Sequence, residues 1–174
     1  KSVPLFVEAR VAPLAEKHGF TNVTALAPWE SASVGGVTIT AAPAKHQVDE
    51  VTFVLSDGDR TVYFAGDTEY VAELEELPRR FPRIDLALVP TNGLRIRPLL
   101  NKQIVMDARQ AARLVALLGA TNAMPHHYAF TSGPIGNALL TKSDPNPEHF
   151  VAAVRELSPA TSVRVTAPGQ RVEF

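Results

Sequence analysis

The sequence contains no cysteine. Disulfides, thiolate metal sites and cysteine nucleophiles are therefore excluded, and any tightly held metal must draw on His, Asp, Glu and water. The same absence suits a reducing cytoplasm, which is the expected compartment. There is no apolar run approaching the roughly 20 residues of a membrane span and no basic-then-apolar leader, so no span is expected. Neither charge sign dominates: 17 basic residues face 18 acidic ones for a formal net charge of −1. Without a run of Lys or Arg to follow a phosphate backbone, nucleic acid is not expected as the main partner. Repeats, low-complexity segments and linkers are absent too, which argues against a second domain.

What is present is a chain of 174 residues, 45% hydrophobic and 20% charged, long enough for one domain with a real core spanning 1–174. It opens at Lys1 without a methionine, and VPLFVEA already reads as a strand, so the expectation is a piece of something longer. Residues 3–8 alternate weakly and give way to ARVAPLAEKHG, where Val11, Leu14, Ala15 and His18 fall at helical spacing before Gly19. NVTALAP, VGGVTITAAPA, VTFVLS and TVYFAG are β-rich runs punctuated by Gly35-Gly36 and Asp57-Gly58, which predicts a meander. A helix over 69–80, the strand IDLALVP and a long loop from Thr91 to Val105 follow. Asp107 with Gln110 predicts a capping box, the stripe Ala111, Leu114, Val115 and Leu118 predicts a buried helix face, and Gly119 its end. The strand TNAMP, a polar loop to Asn146, a helix of about 147–157 and the short strands VRVTA and RVEF complete the expected order.

Three chemistry-bearing stretches share a position where a β-run gives way to a loop. PAKH ends one run at His46, YFAGDT another at Asp67, and AMPHHY a third at His126 and His127. Strand ends are where α/β folds usually place chemistry. Each member has a plain alternative: Asp67 as a helix N-cap, His46 as an exposed polar residue, the paired histidines as structural. Taken together, a His, an Asp and a His from three strand ends make a nitrogen and oxygen ligand set suited to Zn²⁺, Mn²⁺ or Fe²⁺.

The ordered set PAKH, FAGDT, PHHY resembles the second half of the metallo-β-lactamase fold hydrolases, most of all the branch containing L-ascorbate-6-phosphate lactonase and related metal-dependent hydrolases. DLALVPTNG resembles the strand and Asn-Gly loop of that branch, and HHYAF with SDPNPEHF its last ligand and closing helix. The resemblance implies an α/β fold, an αββα sandwich with mixed sheets, and two divalent metal ions. It implies that His46 binds one metal, Asp67 bridges both and takes part in catalysis, and His127 binds the other, with His126 as a neighbour. It also implies a water activated between the metals, attacking a lactone or other ester-like bond of a small anionic substrate. Asn92 and Arg95, with Arg97 beside it, are the candidates to meet that substrate, since a guanidinium fork suits phosphate or carboxylate. A solvated loop is the alternative for both arginines. The upstream HxHxDH signature of such enzymes is absent, since the only histidine before His46 is His18. Four of the seven protein ligands of a dinuclear site are then lacking, and the N-terminal part of the domain is expected to be missing. Two other functions remain open: a phosphodiesterase of the N-acyl-phosphatidylethanolamine phospholipase D type, and a degenerate binding domain without metal. The oligomeric state is open, a homo-oligomer included.

Overall fold

The computed structural model describes residues 1–129, 132–167 and 169–174. The chain starts with β1 (Leu5–Glu8), a 3-10 turn (Ala9–Val11) and α1 (Ala12–Lys17), which carries Pro13 in its first turn, where its missing N–H costs nothing. β2 (Val23–Leu26) pairs with β1 in parallel. The meander is β3 (Ser31–Val34), β4 (Val37–Pro43), β5 (Val51–Ser56) and β6 (Thr61–Phe64), each antiparallel to the next; NVTALAP, expected as its first run, lies outside it as β2, and β3 is a strand not predicted from the sequence. Gly35 and Gly36, with φ of +57° and +84°, make the two-residue turn between β3 and β4; positive φ at both positions is what the favoured hairpin turn requires.

The predicted helix over 69–80 is a 3-10 turn (Ala72–Glu76) running into the short α2 (Leu77–Arg80). Pro78 has no N–H to return to Leu74, so one continuous helix cannot pass through it. Its apolar positions Leu74 and Leu77 are nevertheless fully buried. β7 (Leu86–Pro90) is as expected, but 91–105 is not a plain loop: it holds β8 (Leu94–Ile96), a 3-10 turn (Arg97–Leu99) and β9 (Lys102–Gln103). α3 (Ala108–Leu118) has the predicted capping box between Asp107 and Gln110, and Gly119 closes it in the left-handed region. β10 (Asn122–His126) leads towards α4 (Gly133–Leu139) and β11 (Leu140–Lys142), in a stretch where only a loop is predicted. β11, β8 and β9 form a small antiparallel sheet around Leu94, Ile104 and Val105, strands too short to show a period of their own. α5 (Pro147–Leu157) is as expected; of VRVTA only Val163 lies in a strand, β12 (Ser162–Val163), and RVEF forms no strand. Instead Phe174 lies under the Arg60 guanidinium, 5.6 Å from its ring centre.

The main sheet has seven strands in the order β12-β10-β7-β6-β5-β4-β3. One face packs on α2, α3 and α5 through a core that includes Tyr63, Val89, Leu114, Val115, Phe150 and Val154. The other face meets β1 and β2 around Leu26, Ile39, Ala41 and Val51, with α1 outside that pair. The layers are thus helix, sheet, sheet, helix. The β1–β2 layer is narrow, and Phe53, Phe64 and Leu88 beyond it line an apolar cleft of about 490 Å³.

β6, β7 and β10 are parallel, and two antiparallel steps through β5 make β4 run the same way. The C-terminal ends of β4, β6, β7 and β10 therefore lie along one edge. His46, Asp67, Asn92 and His127 each follow one of those ends within three residues, the position that α/β folds use for ligands.

Candidate metal centre

Asp67 follows a turn whose shape depends on Gly66, at φ +53°. A side chain there would be strained, and its Cβ would run into the Glu50 carboxylate. That carboxylate accepts the Asp67 backbone N–H at 2.9 Å. Asp67 is not a helix cap, because the turn that follows has Val71 at its N-cap position. Its carboxylate instead faces His127, with Oδ2 3.4 Å from Nε2.

His127 sits in the left-handed region at φ +66°, which is strained for a side chain of this size. Asn92 holds it there. The Asn92 Oδ1 accepts the Leu94 N–H at 3.1 Å, so its amide nitrogen faces His127, donating to the backbone carbonyl at 2.9 Å and lying 2.9 Å from Nδ1. With the amide donating to Nδ1, the ring proton is on Nε2, directed at Asp67. Asn92 is wholly buried, so its side chain acts on His127 in this structure and reaches no bulk ligand.

His46 lies on an adjoining loop. Its neighbour Lys45 donates its N–H to Thr68 Oγ1 at 2.8 Å and accepts the Glu69 N–H at 2.8 Å, which stitches the loop after β4 to the loop after β6. The His46 Nδ1 pairs with the Ile104 carbonyl at 2.8 Å. A carbonyl can only accept, so Nδ1 carries the proton and the lone pair is on Nε2, the arrangement that metal-binding histidines commonly have.

Sequence reasoning missed Glu50. A lone acidic residue ahead of the apolar VTFVLS reads as a solvated strand end, and no periodicity marks it. In the structure its Oε2 is buried without a hydrogen-bond partner. Burial, the largest cause, raises its pKa; the Asp67 N–H and His46 lower it, and the Asp67 charge raises it further. Those couplings place Glu50 beside both His46 and Asp67.

His126 points the other way. Its ring stacks on Phe64 with centroids 5.4 Å apart, and its Nε2 is buried without a hydrogen-bond partner. Burial pushes its pKa down to about 4, the Asp67 charge opposing and His127 adding to the shift. Folded His126 thus stays neutral where the unfolded chain, with an ordinary value near 6.5, takes up a proton. Between about pH 6.5 and 4 the unfolded state binds more protons, so stability is lost as pH falls through that window. We expect His126→Phe to remove about 2–3 kcal/mol of that loss, read as the difference between variant and wild type in urea unfolding at both pH values. Equal pH dependence in the two proteins would show that His126 is not buried neutral.

Arg95 is taken up elsewhere: its guanidinium donates to Gln103 Oε1 at 2.7 Å and to the Asn101 carbonyl at 3.4 Å. It borders a cleft of about 440 Å³ together with Asp107, Arg109, Asp144 and His149, while Arg97 is exposed. A different cleft, of about 450 Å³, is bordered by His126, His127, Tyr128, Thr166 and Gln170. That volume is in the range of small-molecule sites.

The donor chemistry fits a divalent metal in part. A tetrahedral ion with bonds of about 2.0–2.1 Å holds neighbouring donors about 3.4 Å apart, which is the Asp67–His127 spacing of 3.4 Å. Among the described residues, however, no three His, Asp or Glu side chains are grouped so that they could hold a metal ion. The structure brings Asp67 and His127 together and sets His46 on the adjoining loop.

An αββα arrangement with histidine and carboxylate donors along one strand edge defines a class of metallo-hydrolase folds. The sequence pattern of the beta-lactamase superfamily domain matches residues 1–128, and the chain belongs to that family. It is 26% identical over 166 residues to a UPF0173 metal-dependent hydrolase of Caldivirga maquilingensis, covering 90% of this chain and 62% of that protein. A UPF0173 metal-dependent hydrolase of Pyrobaculum aerophilum is 31% identical over 137 residues, 77% of this chain and 52% of that one. The chain therefore spans between half and two thirds of the length of these curated relatives. Among solved structures it superposes on Igni18, a metallo hydrolase of the archaeon Ignicoccus hospitalis, with a TM-score of 0.75 at 24% identity, covering 99% of this chain and 70% of the other.

Proposed function

We propose that this chain is the portion of a metal-dependent hydrolase that supplies Asp67, His127 and His46 to a centre of two divalent ions, Zn²⁺ or Mn²⁺, with Fe²⁺ as a third choice. The observation that carries the reading is the Asp67–His127 pair, 3.4 Å apart at the ends of parallel strands. Bound metal supplies a water of lowered pKa and a polarised substrate oxygen. The chain's own residues orient and exclude. Asp67 presents a carboxylate that is 40% exposed, Glu50 fixes its backbone, and Asn92 fixes the ring and backbone of His127. Ligation by His127 Nε2 would move its proton to Nδ1, with the Asn92 amide turning to release it.

We assign the chain, residues 1–174, to a single domain and its work to the cytoplasm. The substrate in this reading is a small anionic molecule with a lactone or other ester-like bond, as in the ascorbate-6-phosphate lactonase branch, and the cleft between His127 and Gln170 is where it would lie. Asn92 is assigned to positioning His127 there, whereas Arg95, expected to meet the substrate, borders the other cleft and is held by Gln103 and Asn101. The test is hydrolysis of aryl esters, lactones and phosphodiesters by the full-length protein, before and after a chelator. The expected result is ester or lactone turnover that the chelator removes and Mn²⁺ or Zn²⁺ restores. Turnover that ignores the chelator sinks the reading, and a phosphodiester preference selects the phospholipase D-type alternative.

A further inference from the structure

The surface beside the site has an unusual composition. Leu100 is 99% exposed and Leu99 49%, at the tip of the β8–β9 turn. Leu100 and Asn101 both have positive φ, 55° and 58°, which turns the chain sharply and projects the tip. On α4, Ile135 is 79% and Leu139 46% exposed, and residues four apart share one helix face. The two features are joined. α4 runs directly into β11, Leu140 of β11 pairs with Ile96, and Thr141 Oγ1 donates to Asn101 Oδ1 at 3.1 Å. The other end of β11 leads to Asp144, whose N–H donates to the Asn92 carbonyl at 3.1 Å, so this surface is braced against the residue that holds His127.

Charge on these segments is of one sign. Across 93–106 and 132–143 the charged side chains are Arg95, Arg97, Lys102 and Lys142, with no Asp or Glu, although the whole chain carries a formal charge of −1. Arg97 and Lys102 are exposed and flank the leucines. The aliphatic side chains stand on a convex tip and a helix face, a shape that inserts into a partner and does not receive one. Aliphatic residues projecting between cations match an anionic bilayer: the apolar groups enter the acyl boundary and the cations meet the headgroups.

We propose that the β8–β9 tip and α4 form a peripheral docking surface for an anionic phospholipid bilayer. It involves no spanning segment, since among the described residues no helix is long and apolar enough to cross a membrane. The inference stands apart from the hydrolase reading, because none of these residues is a metal donor.

The test is co-sedimentation of the protein with vesicles of phosphatidylcholine alone and of phosphatidylcholine mixed with phosphatidylglycerol. Binding is expected only to the anionic vesicles, and should fade at about 0.5 M salt, where screening is short-ranged. Leu99→Ser with Leu100→Ser should weaken it by at least about tenfold, given the apolar area withdrawn. Arg97→Ala and Lys102→Ala should each cost about fivefold. Melting temperatures of these variants check folding, and Asp67→Ala should bind vesicles like the wild type. Equal sedimentation with both vesicle types, no sedimentation, or binding unchanged in the leucine variants would each overturn the proposal. So would concentration-dependent self-association lost in the leucine variants, which would assign the surface to a second copy of the chain.

Discussion

Asp67→Ala in the full-length protein is expected to lower kcat/KM by at least about 10³-fold, because in the proposed centre its carboxylate would be a donor to the metal ions that would supply the activated water. His126→Ala should cost only about 10–100-fold, the range for a group that acts through its neighbours. The structure sharpens this contrast. Asp67 faces His127 Nε2, whereas His126 lies on Phe64 with its ring on the apolar side of the sheet. Nor should folding confuse the comparison. The Asp67 carboxylate caps no helix, and the backbone N–H that binds Glu50 survives in alanine. Its removal should shift stability by no more than about 0.5 kcal/mol, as for most surface changes. The reverse order of the two variants would make His126 the ligand, and a near-full rate in Asp67→Ala would remove the metal mechanism.

Phe150→Ala should cost about 3–5 kcal/mol, the range for deleting a buried aromatic ring and leaving its cavity. Phe150 is fully buried where α5 packs on α3, and both helices cover the face of the sheet opposite β1 and β2. Against a total of about 5–15 kcal/mol for a domain of this kind, the variant approaches or crosses the edge of unfolding. Urea unfolding measures it directly. A loss under about 1 kcal/mol would mean that α5 is not docked as described.

How the sequence maps onto these results depends on which forces leave a local trace. The meander is legible because Gly35-Gly36 and Asp57-Gly58 impose backbone conformations that few residues tolerate, and α3 because its cap, stripe and terminal glycine agree with one another. The strand-end positions of His46, Asp67 and His127 follow from those same elements. The small sheet of β8, β9 and β11 leaves no such trace: its strands have two or three residues and are stabilised by Ile96 meeting Leu140 across about forty residues of chain. Glu50 was hidden for a related reason, since its role depends on the close approach of Gly66, a contact between two strands' ends. Asn92 illustrates a third case. Its place beside the site is readable from the loop after IDLALVP, but the direction of its amide is set by the Leu94 N–H and the strained His127 backbone, which appear only in three dimensions.

The claim that Asp67 and His127 are metal donors can be tested even if affinity in this chain is weak. Manganese(II) added to the isotopically labelled protein broadens the NMR signals of nuclei near any site it visits, bridged centre or not. The account predicts selective broadening at residues around Asp67, His127 and His46, lost in Asp67→Ala. The second His–Asp pair, His149 with Asp144 at 2.7 Å, is the competing donor pair, so His149→Ala should leave the broadening unchanged. Broadening centred on that pair, or none at Asp67 and His127, would contradict it.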